Sequence, residues 1–191
     1  MSIEEKLTLG KYQLIASIPD DQNPFTTQIQ MVSIIENKEV DEIRTWTPEK
    51  VKETITAYSA IDLTGYEKRR VRELKMDGEK YTLYDNPAKM TSGQFIDLVE
   101  ALKGESNPVQ VADKVIAIIA VKKGEKYDGT TMMKRASLVQ NLPLAETWGV
   151  FIFFLNLYWR YIEVTETYLE AEMKRTTDLA TELLKNDGVG S

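Results

Sequence analysis

From Pro143 to Lys185 no further proline and no evident breaker appears apart from Gly149, and no other feature constrains the fold as tightly. A stretch of roughly forty residues that can stay helical exceeds the usual globular helix, so it must be covered along much of its length or project. Positions 148, 152, 155, 159, 162, 166, 169, 173, 176, 180 and 183 step alternately by four and three, reading Trp, Ile, Leu, Trp, Ile, Glu, Leu, Met, Thr, Ala and Leu. Nine of these eleven are apolar, which makes the row a heptad-like seam. The first half is apolar almost all round, which predicts burial on every side. The second half is charged with a narrow apolar stripe, which predicts a segment that projects or docks edgewise. Trp159, Ile162, Leu169, Met173, Ala180 and Leu183 are therefore the expected partner-binding residues. Glu166 interrupts the seam, and reads as a register-setting or solvent-facing residue rather than half of a catalytic carboxylate pair.

The run 147–159, TWGVFIFFLNLYW, holds 13 residues without a charge, whereas a spanning helix needs about 20 apolar residues. Glu146 and Arg160 close it and Asn156 lies inside it. A buried core helix is the expectation, and with it a soluble chain with no membrane partner. The aromatic set Trp148, Phe151, Phe153, Phe154, Tyr158, Trp159 and Tyr161 reads as core, subunit interface or a mixture, since no convergent polar groups accompany it. The N-terminal MSIEEKLTLGKYQ lacks the basic and apolar regions of a signal peptide.

Composition narrows the chemistry. The 191 residues include no cysteine and no histidine, which excludes disulfides, thiolate metal sites and cysteine nucleophiles. It also removes the side chain best suited to proton transfer near neutral pH. No phosphate loop of the GxxxxGK type and no strand-following GxGxxG occurs, and Asp20-Asp21 and Asp85 lack the alternating ligands of a calcium loop. The chain is read as non-enzymatic, with no cofactor and no metal. Thirty acidic against 24 basic residues give a formal charge of -6, which argues against a nucleic-acid surface. The best nucleic-acid candidate is the cluster Lys68, Arg69, Arg70, Arg72 and Lys75, but Glu67, Glu73, Asp77 and Glu79 interleave with it. Charged hairpin edges that block aggregation are the simpler account.

The rest of the chain reads as mainly helical. Helices are expected over 8–18 and 25–36, from the cap Thr47-Pro48-Glu49 to about 61, from the capping box Thr91-Ser92-Gly93-Gln94 to Gly104, from Asn107-Pro108 through 119, and over 132–140. Asp77-Gly78 between two alternating segments predicts a β-hairpin at about 66–84. Two strands alone are marginal, so the hairpin must lie on a helix or pair with another chain. The expected fold is thus mainly α with one β-hairpin (α+β), a helical bundle ending in a long C-terminal helix. The expected domains are 1–165 with the hairpin and 166–191 as a charged helical extension and short tail.

In order, LTLGKYQLIASI, DEIRTWTPEKVKETI, LKMDGEKYTLYDNPAKMTSGQFIDLVEAL and LPLAETWGVFIFFLNLYWRYIEV touch most of residues 7–164. Together they resemble tailed-bacteriophage morphogenesis proteins of the tail-assembly chaperone-like or virion-accessory kind. The most specific part is the DG-turn hairpin followed by a threonine-capped helix reading GQFIDL. The resemblance implies a non-enzymatic role in building a virion: binding apolar helical segments of a tail protein, or forming a permanent ring or neck component. It implies partners among other virion or tail proteins, a homo-oligomer, and a place in the host cytoplasm during assembly or in the virion. A nucleic-acid-binding regulator using the basic hairpin is the alternative from another class.

Overall fold

Short apolar runs bounded by strong caps give this chain many brief helices before its long one. The computed structural model describes residues 2–69 and 71–187, with side chains described to residue 176. It divides into two units, Met1–Phe154 and Leu155–Ser191.

In the first unit, α1 (Ile3–Lys6), α2 (Leu9–Ala16), α3 (Pro24–Glu36), α4 (Val40–Arg44), α5 (Pro48–Ser59) and α6 (Leu63–Glu67) follow one another. Their starts are written locally. Thr8 Oγ1 accepts from Lys11 N, Thr47 Oγ1 from Lys50 N and Asp62 Oδ1 from Gly65 N, each satisfying a donor the helix cannot. Ile29, Val32, Ile43 and Val51 form a small core between α3, α4 and α5, with Val40, Trp46 and Ile55 packed on it. Lys50 Nζ stands 3.6 Å over the Trp46 ring, a cation held on an aromatic face. Lys11 Nζ donates to Ile35 O at 2.7 Å, closing the end of α3 where Asn37 turns left-handed. Burial lowers the Lys11 pKa, opposed by the nearby Glu36 carboxylate.

The hairpin is β1 (Glu73–Met76) and β2 (Glu79–Leu83), with Asp77 at φ 50° and Gly78 at φ 75° in the tight turn. It is shorter than its expected span of 66–84, because the Asp62 cap makes residues 63–67 helical. Lys68, Arg69 and Arg72 therefore precede the strands instead of lying on them. A third strand, β3 (Ala120–Lys122), pairs antiparallel with β2, so the sheet order is β1-β2-β3. Leu74 and Met76 turn inward while Glu73 and Lys75 face out, the alternation of a half-buried sheet.

Two further helices bracket the most buried element. α7 (Ser92–Leu102) begins with the expected capping box, and α8 (Ala112–Ile119) is followed after β3 by α9 (Gly129–Gln140). α8 reads ADKVIAII, apolar on nearly every side, and α2, α7 and α9 pack against it. A buried helix must still satisfy its terminal carbonyls. Gln94 of α7 donates to Ile118 O at 3.0 Å, and Arg135 of α9 donates to Ala117 O at 2.9 Å and also to Ala120 O. Arg135 is balanced by Glu125 at 2.7 Å and lies 5.0 Å over the Tyr81 ring. Near the other end Asp113 accepts from Gln13 at 2.9 Å and Gln140 at 2.8 Å.

The chain's opening is tied to its last helix, α10 (Leu144–Asp187). Leu9 N donates to Leu142 O at 3.0 Å and Leu144 N to Leu7 O at 2.9 Å, around the bridge Thr8–Pro143. The fold class is thus the expected one, mainly α with a small antiparallel sheet and a long closing helix. Among the described residues no helix is long and apolar enough to cross a membrane.

Candidate protein-binding site

α10 carries two parallel rows of side chains one position apart. Thr147, Phe151, Phe154 and Tyr158 are buried, and Tyr161 and Thr165 continue that row half-buried. The seam read from the sequence lies beside it. Trp148 is buried; Ile152, Leu155 and Ile162 are half-buried; Trp159, Glu166, Leu169 and Met173 are exposed. The period of the pattern is as expected, but the covered row sits one residue N-terminal to the seam. Burial of the first half on every side is corrected too, since Phe153 is 47% and Trp159 51% exposed and Asn156 is exposed. With about 3.6 residues per turn, neighbours on one side cover only one stripe of a helix, however apolar the rest.

Taken by itself, the described part of the second unit is a charged helix that meets several of its hydroxyls locally. Thr165, Thr167 and Thr176 return their hydroxyls to the carbonyls of Tyr161, Glu163 and Glu172 at 2.8, 2.9 and 2.8 Å. Arg175 lies 3.7 Å from Glu172, and the Tyr158 and Trp159 rings meet edge-on at 5.3 Å. Leu169 is 54% and Met173 66% exposed. Single exposed apolar residues are ordinary, but several on one helical face mark a contact surface. Fully burying one such side chain is worth about 1.5–3 kcal/mol, which makes Trp159, Leu169 and Met173 candidate contacts. The side chains of Ala180 and Leu183, the last two expected contacts, lie outside the described residues.

The basic candidates do not form one face. Arg70 lies outside the described residues, and Lys75 is on the outer face of β1, opposite Lys80, which itself pairs with Glu73. Lys68, Arg69 and Arg72 line a cavity of about 500 Å³ together with Glu67, Asp85 and an apolar floor that includes Ile119, Val150 and Phe154. Asp85 is held below the usual carboxylate range by its hydrogen bond to Lys89 and that residue's charge. Gly149 shapes this cavity, because a Cβ there would fall 2.3 Å from Tyr66 O and 2.9 Å from Arg69 O. Only glycine lets the 66–69 backbone lie against the helix. A glycine among bulky aromatics in a helix was the one local signal for this close approach, and the cavity itself had none.

Among the described residues, no group of three or more carboxylates is arranged to hold a metal ion. Comparison with models of protein families, with curated proteins and with solved structures finds no match.

Proposed function

We propose that the chain is a non-enzymatic assembly protein that acts by helix packing, with the exposed row of α10 as its contact surface. The observation that carries this reading is Trp159, Leu169 and Met173 standing exposed at heptad spacing. The composition agrees, since a chain with neither histidine nor cysteine lacks the side chains most often used in catalysis. The setting proposed is the tailed-phage virion that the sequence resemblance implies, with other tail or virion proteins as partners. A permanent ring or neck component is the second form of the same reading, and presence in purified particles distinguishes it from a chaperone that leaves.

The test compares the full chain with one ended after Thr167, which removes Leu169 and Met173. Light scattering is recorded for each, alone and mixed with phage tail and neck proteins. The full chain is expected to form a complex that the shortened chain does not. Equal complex formation by both removes the row from the proposal.

A further inference from the structure

The flanks of the α10 row identify its partner's chemistry. With Trp159, Glu166 and Met173 at heptad position a and Ile162 and Leu169 at d, the flanking e positions hold Glu163 and Glu170, and the g positions hold Tyr158, Thr165 and Glu172. No flanking position from 158 to 172 carries a base. Arg160, Lys174 and Arg175 occupy the b and c positions, further from the seam, and Arg175 is already engaged with Glu172.

These positions decide which helices can lie alongside. A parallel second copy brings Glu166 against its own equivalent inside the seam. An antiparallel copy faces Glu163 with Glu170 of the other chain twice, or Glu163 with itself. Each of these pairings therefore sets carboxylates together, and like charges so placed disfavour the partner that brings them. A helix with the same apolar row and lysine or arginine on its flanks meets the opposite situation. Its cations face Glu163 and Glu170, and one cation closes on Glu166.

We propose that this face of α10 receives a basic-flanked amphipathic helix of a different protein, with Glu166 as the residue that selects it. The inference rests on the packing reading above and adds the charge of the partner. The self-association expected from the sequence is not assigned to this row. Glu166 thus acquires a role that its isolated position did not reveal: it lowers the apolar continuity of the seam and in exchange discriminates between partners.

The experiment uses the full chain and two synthetic amphipathic peptides of about four heptads, each with leucine at a and d. One has lysine at e and g; the other has glutamate there. Calorimetric titration at low and high salt is expected to show the lysine peptide binding at least about tenfold more tightly at low salt, with the gap narrowing as salt rises. Glu166→Gln should reduce the lysine peptide's advantage. Glu166→Leu should let the chain associate with itself, seen by light scattering, while helicity is unchanged because position 166 is exposed. Equal affinity for the two peptides would overturn the charge rule and leave the packing reading standing. So would wild-type self-association that Leu169→Arg abolishes. Failure of both peptides to bind would bring down the rule and the packing reading together.

Discussion

α8 and the outer part of α10 both present apolar side chains, and they meet opposite fates. α8 is eight residues long, seven of them buried, and its final carbonyls are met by side chains from two neighbouring helices. α10 beyond residue 155 is far longer, returns the hydroxyls of Thr165 and Thr167 to its own carbonyls, and has Trp159, Leu169 and Met173 exposed. α8 is apolar on nearly every side and the outer part of α10 only along a stripe. Burial of α8 also requires polar groups for its end, which Gln94 and Arg135 supply.

The sharpest way to break this contrast is at Arg135, which is only 4% exposed. Arg135→Leu strands two carbonyls of the α8 end and the Glu125 carboxylate, with an expected loss of about 3–5 kcal/mol, read from the urea midpoint. Ile116→Ala opens a cavity in the same helix and should cost about 2–5 kcal/mol. Gly149→Ala forces a methyl onto the backbone of residues 66–69, for which overpacking predicts about 1–3 kcal/mol. Faster amide exchange at 66–69 would locate that effect. Tyr58, half-buried on α5, lies between the extremes. Burial, with a smaller contribution from Tyr12, pushes its phenol up to about 12, from an ordinary value of about 10. The folded state favours the neutral phenol, so its contribution is intact below pH ~10 and lost as pH rises toward 12. Tyr58→Phe should flatten that alkaline limb of the stability curve. At the small end, Leu169→Ala should change folding stability by no more than about 0.5 kcal/mol while weakening complex formation. A large loss of stability there would mean that the outer row is already covered.

What the sequence made legible was mostly local. Thr47-Pro48, the Thr91-Gln94 box and Asp77-Gly78 act through hydrogen bonds and φ values within a few residues, and each lies where it was expected. β3 was hidden because VIAIIAV carries no period that separates the end of a helix from a short strand. Only pairing with Tyr81, Thr82 and Leu83 decides it. α4 and α6 are five residues each, too short to show a period. Along α10 the four-three spacing fits two adjacent rows, since Phe151, Phe154 and Tyr158 are as apolar as Ile152, Leu155 and Trp159. Choosing between them takes neighbours distant in sequence. Trp159, Leu169 and Met173 could be picked out as candidate contacts in advance, and they are exposed; the flanking carboxylates gained meaning only once the exposed row was known.

The bridge between Thr8 and Pro143 sets a schedule for synthesis. Leu7 O and Leu9 N–H find their partners only after residues 142–144 have been made. At typical elongation speeds of about 5–20 residues per second, that wait is on the order of ten seconds. A nascent chain thus cannot close the edge at residues 7–9 until the start of α10 has been made, and this part of the domain is latched late.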